Sequence, residues 1–236
     1  MNLVICLHGI IGGSKGKNGK GKPWDPKVLY EHIYYNVVEP NKLYYDKINF
    51  IIHSWSTKQK EKILEHYNPI KYCIEKSSLK CRQRSKLLSL YKSIQLCDMQ
   101  LSDEDVMLHT RFDNFYNKPL ILDPLHIKKE EAYIADDPPK WDSNPEKHEG
   151  RVCDNFFFGY GKQFFNNFNS KKYEEIDNFI VERNPKVLKS WWLKKNNSRT
   201  DNHRVLSLVL KDFNIIKLDR GRYKSKVDIQ IFREKK

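Results

Sequence analysis

The stretch Val106–Phe115, VMLHTRFDNF, constrains this chain most. Val106, Met107 and Leu108 are apolar and follow the acidic turn Ser102-Asp103-Glu104-Asp105. The pattern predicts a buried strand that enters a core and releases His109, Thr110, Arg111 and Asp113 at its far end. In open α/β sheets, ligands bind outside the carboxyl ends of the strands. Residues two apart in extended backbone face the same side, so Arg111 and Asp113 stand together. A cation beside a carboxylate suits a ligand carrying phosphates, with or without a divalent metal. The same spacing also suits an ion pair that closes the strand.

Three earlier runs read the same way. Leu3–Leu7 is a first buried strand running into His8-Gly9-Ile10-Ile11-Gly12-Gly13 and a Lys/Gly-rich segment, Ser14–Lys22. A glycine-rich loop after a strand can hold phosphates through its backbone N–H groups, which makes Gly9, Gly12 and Lys22 binding candidates. Gly16, Gly21 and Lys22 approach P-loop spacing, but Pro23 stands where the magnesium-holding hydroxyl belongs. Asp25 is placed to cap a helix with Pro26 at its first position. Ile48–Ile52 is a second strand, delivering His53, Ser54 and Trp55, and Ser56 is expected to cap a helix over Thr57–His66. Tyr72–Ile74 is a third strand ending at Glu75. Arg82–Cys97 is the clearest helix, with Leu87, Leu90, Tyr91 and Ile94 at helical spacing. This βαβαβ order implies a parallel sheet.

Beyond Asp113 the pattern loosens. Pro119–Pro145 reads as a long irregular segment with a short strand at Ala132–Ala135. Asn155–Gly159 is an aromatic strand preceded by Asp154, and a helix follows over Lys162–Phe168. The final third, about 170–236, is basic and expected to be helical over Tyr173–Glu182 and Val187–Lys195. Asn214–Leu218 and Val227–Phe232 are expected to close it as an antiparallel pair. The whole chain, 1–236, is read as one domain.

Composition bounds the function classes. Of the residues, 39% are hydrophobic and 13% aromatic, which suffices for a core and argues against disorder. The net charge of +13 predicts attraction to polyanions. Five cysteines without a CxxC pair indicate neither a zinc site nor a disulfide framework, so a reducing cytoplasm is expected. No apolar run approaches the roughly 18 residues of a membrane span.

Several stretches together resemble one family. The strand with its glycine-rich loop, then NFIIHSWS, LEHYNPIKYCIE, SLYKSIQL, VMLHTRFD and CDNFFFGYGKQF, follow in order and spacing a group of small glycosyltransferases. These are found in large DNA viruses and in bacterial capsule or lipopolysaccharide gene clusters. The resemblance covers roughly residues 1 to 170. It implies a GT-A-like, Rossmann-like fold, a mixed and mainly parallel sheet flanked by helices, that binds a nucleotide-diphosphate sugar. It implies that Asp113 holds a divalent metal, manganese or magnesium, against the diphosphate. Arg111 would touch phosphate or donor sugar, and Asp154 would face the acceptor.

The residue chemistry is compatible with that role. Glycosyl transfer needs the leaving diphosphate neutralised, by a metal or by fixed cations such as Arg111, Lys15, Lys17, Lys20 and Lys22. Inverting transfer needs a base for the acceptor hydroxyl, with Asp154 first and His53 second. Trp55, Phe157 and Tyr160 can stack on a sugar or base, or serve the core.

Other classes compete less well. An α/β-hydrolase is suggested by Leu7-His8-Gly9, but no G-x-S-x-G occurs. Nucleic-acid binding is suggested by charge and by Lys186–Arg204 with its two tryptophans, without a zinc-finger, helix-turn-helix or RNP-like motif. A catalytically inactive GT-like binding protein is the remaining alternative. The expectation is therefore a cytoplasmic transferase (host cytoplasm if viral), with a nucleotide-sugar donor and a glycan acceptor as partners.

Overall fold

A computed structural model of the chain describes residues 1–9, 24–55, 57–76, 82–98, 101–116, 118–135, 156–168, 174–175, 210, 212–218 and 229–231. The strands are β1 (Asn2–Gly9), β2 (Lys47–Trp55), β3 (Lys71–Glu75), β4 (Val106–Arg111), β5 (Asn114–Tyr116), β6 (Glu131–Ala135), β7 (Phe156–Tyr160), β8 (Asn214–Leu218) and β9 (Ile229–Ile231). The helices are α1 (Pro26–Ile33), α2 (Glu39–Asn41), α3 (Lys60–Tyr67), α4 (Arg82–Gln95) and α5 (Gly161–Asn167). A π-helical turn, Tyr34–Val38, joins α1 to α2.

Seven strands form one sheet in the order β3-β2-β1-β4-β7-β6-β8, and β5 and β9 form a separate pair. β1 pairs in parallel with β2 and with β4, and β2 in parallel with β3. β7 runs antiparallel to both β4 and β6, and β8 returns parallel to β6. The result is the mixed, mainly parallel, Rossmann-like sheet with flanking helices that was expected. From β1 the chain steps outward to β2 and β3, then crosses through α4 to β4 on the other side of β1. Strand order reverses there, and a crevice at such a switch point is where open α/β sheets bind ligands.

Both sheet faces are buried, which is why the parallel strands read as continuous apolar runs. Leu3, Ile5, Leu7, Ile52 and Leu108 pack with Leu29, Ile33 and Ile63 of α1 and α3. Val4, Cys6, Ile51 and Met107 pack with Leu87, Leu90, Tyr91 and Ile94 of α4 and Phe164 of α5. Burying each of those large side chains contributes about 1.5–3 kcal/mol. At the amino ends, Asp105 accepts from the Asn2 amide (2.7 Å) and the Ser102 amide (2.9 Å), pinning β1 beside β4. At α1, Asp25 caps the Lys27 amide and Pro26 opens the first turn, as the sequence predicts.

Several expectations are corrected. α3 begins at Lys60 behind Gln59, not at Thr57, because the Thr57 hydroxyl already bonds the Gln59 amide in a preceding turn. Ser56 lies outside the described residues. His53, Ser54 and Trp55 are inside β2, and His109 and Thr110 are inside β4, because parallel neighbours extend both ladders. Asn214–Leu218 and the strand near Val227–Phe232 do not pair with each other. β8 joins β6 in the main sheet, and β9 joins β5, a three-residue strand too short to signal itself. The helices expected over Tyr173–Glu182 and Val187–Lys195 lie almost wholly outside the described residues. Among the described residues no helix is long and apolar enough to cross a membrane.

Candidate functional site

The carboxyl ends of β1, β2, β3 and β4 lie side by side. The register places His8 beside His53 on one flank and beside Arg111 on the other, Gly9 beside Ser54, and Trp55 beside Glu75. Side chains at positions 6 and 8 of β1, 51 and 53 of β2, and 107 and 109 of β4 share one face by alternation. That face is covered by α4, whose Ser89 and Ser93 point into it. The outcome is a buried polar layer of three histidines and two serines at the upper end of an otherwise apolar interface.

Gly9 has φ of 95°, a left-handed conformation that favours glycine. Among the described residues nothing stands within 4 Å of where a Cβ would be. Its amide donates to Ser89 Oγ at 2.9 Å. Ser89 Oγ lies 2.7 Å from His53 Nδ1, and His53 Nε2 lies 3.2 Å from Glu75 Oε1. Lys92, one turn further along α4, closes the chain on the same carboxylate oxygen. This relay of Glu75, His53 and Ser89 fixes the backbone at the start of the glycine-rich loop. Burial lowers the His53 pKa, against the opposing pull of Glu75. The hydrogen bond from Lys92 holds the Glu75 carboxyl below its usual range.

His8 is fully buried and stacks on His109 at 4.4 Å, and His109 stacks on Phe157 at 4.5 Å. His109 Nε2 lies 3.0 Å from Ser93 Oγ. Among the described residues neither nitrogen of His8 has a hydrogen-bond partner. Desolvation, with His109, Lys86, Arg111 and His53 around it, pushes its pKa well down, so the ring is neutral.

At the end of β4, Arg111 grips Asp113 with two hydrogen bonds, Nε to Oδ1 at 2.7 Å and an Nη to Oδ2 at 2.6 Å. Asp113 is buried and sits in the turn between β4 and β5. The two residues are together, as extended spacing suggested, but as a bidentate ion pair. A cation at Asp113 would meet a carboxylate whose two oxygens already accept from Arg111. Among the described residues Asp113 belongs to no group of three ligand-bearing side chains. The residues at Asp113 therefore do not by themselves fit a metal. A group that can hold a divalent metal is found instead two and three strands across the sheet, where His53 of β2 and Cys73 and Glu75 of β3 place one ligand atom each within 4.8 Å of one another.

Trp55 is partly buried and meets His53 edge-on at 4.9 Å. Phe157 is committed to the core, stacked between His109 and Phe168. Tyr160 is nearly buried, with the Lys129 ammonium 5.8 Å from its ring. Gly12, Lys22 and Asp154 lie outside the described residues, as do Lys15, Lys17 and Lys20. Sequence reasoning missed His8, Ser89 and Lys92. The only signal available was alternation along β1 and the 89/93 spacing on α4, which says that they share a face but not what they meet.

No family model matches the chain, and no curated protein matches it. Among solved structures, the fold is similar to a nucleoside-diphosphate-sugar pyrophosphorylase from Vibrio cholerae at 12% identity. That match covers 97% of this chain and 94% of the other, with a TM-score of 0.43. It is also similar to a glycosyltransferase of Streptococcus pneumoniae at 8% identity, covering 93% of this chain and 45% of the other, with a TM-score of 0.44.

Proposed function

We propose that the chain is a glycosyltransferase that moves a sugar from a nucleotide-diphosphate donor to a glycan acceptor. One observation carries this reading. At the switch point between β1 and β4, the left-handed Gly9 follows His8, which pairs with Arg111 of the Arg111–Asp113 pair, and Trp55 ends the neighbouring strand β2. Backbone amides after a strand, together with a fixed guanidinium, suit a diphosphate. The glycine-rich loop with Lys15, Lys17, Lys20 and Lys22 leaves from Gly9 and would bring more positive charge to the leaving group. Arg111 needs no metal to act in this way, and a manganese or magnesium ion at Asp113 would share the carboxylate with the guanidinium.

For the acceptor proton, Asp154 is the first candidate. Both nitrogens of His53 are engaged, by Ser89 and Glu75, so His53 serves better as a positioning group than as a base. Asp154→Asn is expected to keep donor binding and lose turnover.

A second reading is favoured by the closure of Asp113. Both of its oxygens accept from Arg111, and that pairing suits a GT-like protein that binds a nucleotide sugar without turning it over. The test is a thermal-shift panel of UDP, GDP, CDP and dTDP and their sugars, with and without manganese, followed by a transfer assay with the nucleotide that shifts. Native-state binding at a hundred times the dissociation constant adds about 2.7 kcal/mol. A selective shift with turnover supports the transferase, and a shift without turnover supports the binding protein. No shift with any nucleotide, in a protein that melts cooperatively, overturns both.

A further inference from the structure

We propose that His53, Cys73 and Glu75 form a zinc site at the edge of the main sheet, distinct from the Arg111–Asp113 end of β4. The register creates it. His53 of β2 pairs directly with Cys73 of β3, and Glu75 follows Cys73 by two residues. Alternation therefore turns all three side chains to the same face, the one covered by α4. β3 is the outermost strand, so the cluster opens to solvent on one flank. His53 is fully buried, while Cys73 and Glu75 are half-buried.

Three features make this more than a chance gathering. Ligand atoms around tetrahedral zinc, with bonds of about 2.0–2.3 Å, stand roughly 3.3–3.8 Å apart. Here they all lie within 4.8 Å, and His53 Nε2 and Glu75 Oε1 are 3.2 Å apart, so side-chain shifts of about an ångström close the set. The second nitrogen of His53 is already held by Ser89 at 2.7 Å. Such a partner fixes which nitrogen faces a metal and how the ring is turned. Finally, the cluster already draws a cation, because the Lys92 ammonium sits on Glu75 Oε1. Lys92 keeps 39% of its side chain exposed and can swing into water when a metal takes its place.

The donor set decides the metal class. An imidazole and a thiolate suit zinc, whereas magnesium and manganese prefer oxygen ligands. Three protein ligands at a solvent-facing edge leave the fourth position to water. The absence of a CxxC motif does not bear on such a site, because its ligands come from two paired strands and only one is a cysteine. The Ser89 hydroxyl that orients His53 also receives the Gly9 amide, so metal at this edge is two hydrogen bonds from the glycine-rich loop.

The test is a cobalt(II) titration of the full chain, with zinc competition, followed by absorbance and melting temperature. The expected result is saturation at one equivalent, a near-ultraviolet thiolate-to-cobalt band, displacement by zinc, and a melting temperature raised by zinc but not by magnesium. Cys73→Ser, a small change at a half-buried position, should lose the band and weaken binding at least tenfold. Lys92→Met removes the competing ammonium and should tighten binding several-fold. The proposal is overturned if no saturable site appears at one equivalent, or if the band and affinity survive Cys73→Ser. It is also overturned if Lys92→Met leaves the affinity unchanged or weakens it. These readouts are independent of nucleotide binding and transfer, so they stand or fall apart from the proposed activity.

Discussion

Lowering the pH from 7.5 to 5.5 should destabilise this protein through His8, and His8→Phe should remove that part of the loss. His8 is buried and neutral, surrounded by His53 of β2, His109 and Arg111 of β4, and Lys86 of α4. Its folded pKa lies well below the ordinary imidazole value of 6.5. Well above 6.5 the ring is neutral in both folded and unfolded chains and contributes no pH dependence. Below it the unfolded chain takes up a proton that the folded chain refuses, so stability is lost as pH falls. At pH 5.5, about ten in eleven unfolded chains carry that proton, which sets an upper limit of roughly 1.4 kcal/mol. For a chain of this size that is a drop of roughly 3–6 °C in melting temperature. His8→Phe keeps an aromatic ring against His109 and cannot titrate. The assay is melting temperature against pH for both proteins, reading the difference in slope rather than the absolute values. Parallel curves from 7.5 to 5.5 would mean that His8 is protonated or hydrated in the folded state, and the buried-layer account would be wrong.

Other perturbations follow from the same geometry. Ser89→Ala strands the Gly9 amide and the His53 ring nitrogen, and should cost about 1–3 kcal/mol in denaturant unfolding. An unchanged midpoint would mean that the relay does not hold the loop start. Asp113→Asn should abolish transfer and also lower stability, because it removes the carboxylate that accepts two hydrogen bonds from Arg111. The loss should be less than the ~3–5 kcal/mol of a fully buried pair, since Arg111 keeps 23% of its side chain exposed. Wild-type transfer by a purified Asp113→Asn variant would remove Asp113 from the site. Gly159→Ala places a Cβ 2.7 Å from the Glu131 carbonyl oxygen and 3.0 Å from the Phe164 ring. It should cost roughly 1–3 kcal/mol as an overpacked position, and a neutral melting temperature would contradict the close β6–β7 packing.

The parallel half of the sheet was legible because strands buried on both faces carry continuous apolar runs, as Leu3–Leu7, Phe50–Ile52 and Val106–Leu108 do. Asp25-Pro26 was legible because capping is local chemistry. Partner choice at the far edge was not. Nothing in NIIKL says that it pairs with β6 rather than with the strand that follows it, and β5 carries only three residues. The Arg111–Asp113 contact was readable from spacing, whereas its closure into a bidentate pair depends on the turn that β5 imposes. The layer of His8, His53 and His109 was the least accessible. Each histidine reads alone as a core residue or a candidate base, and only strand register and the placement of α4 bring them together.

The pairing of β5 with β9 has a consequence for how the protein is made. β5 follows directly on Asp113, yet its partner lies more than a hundred residues further along the chain. At synthesis rates of about 5–20 residues per second, that partner emerges roughly 6–23 s after β5. During that interval the first four strands have all their parallel partners, while the strand beside the Arg111–Asp113 pair has an open edge. A ribosome stalled late in that window, after β8, would display the whole main sheet with only the β5–β9 pair missing. Pairing of β5 therefore waits on translation of the distal strand, whereas the parallel pairing of β1 to β4 does not.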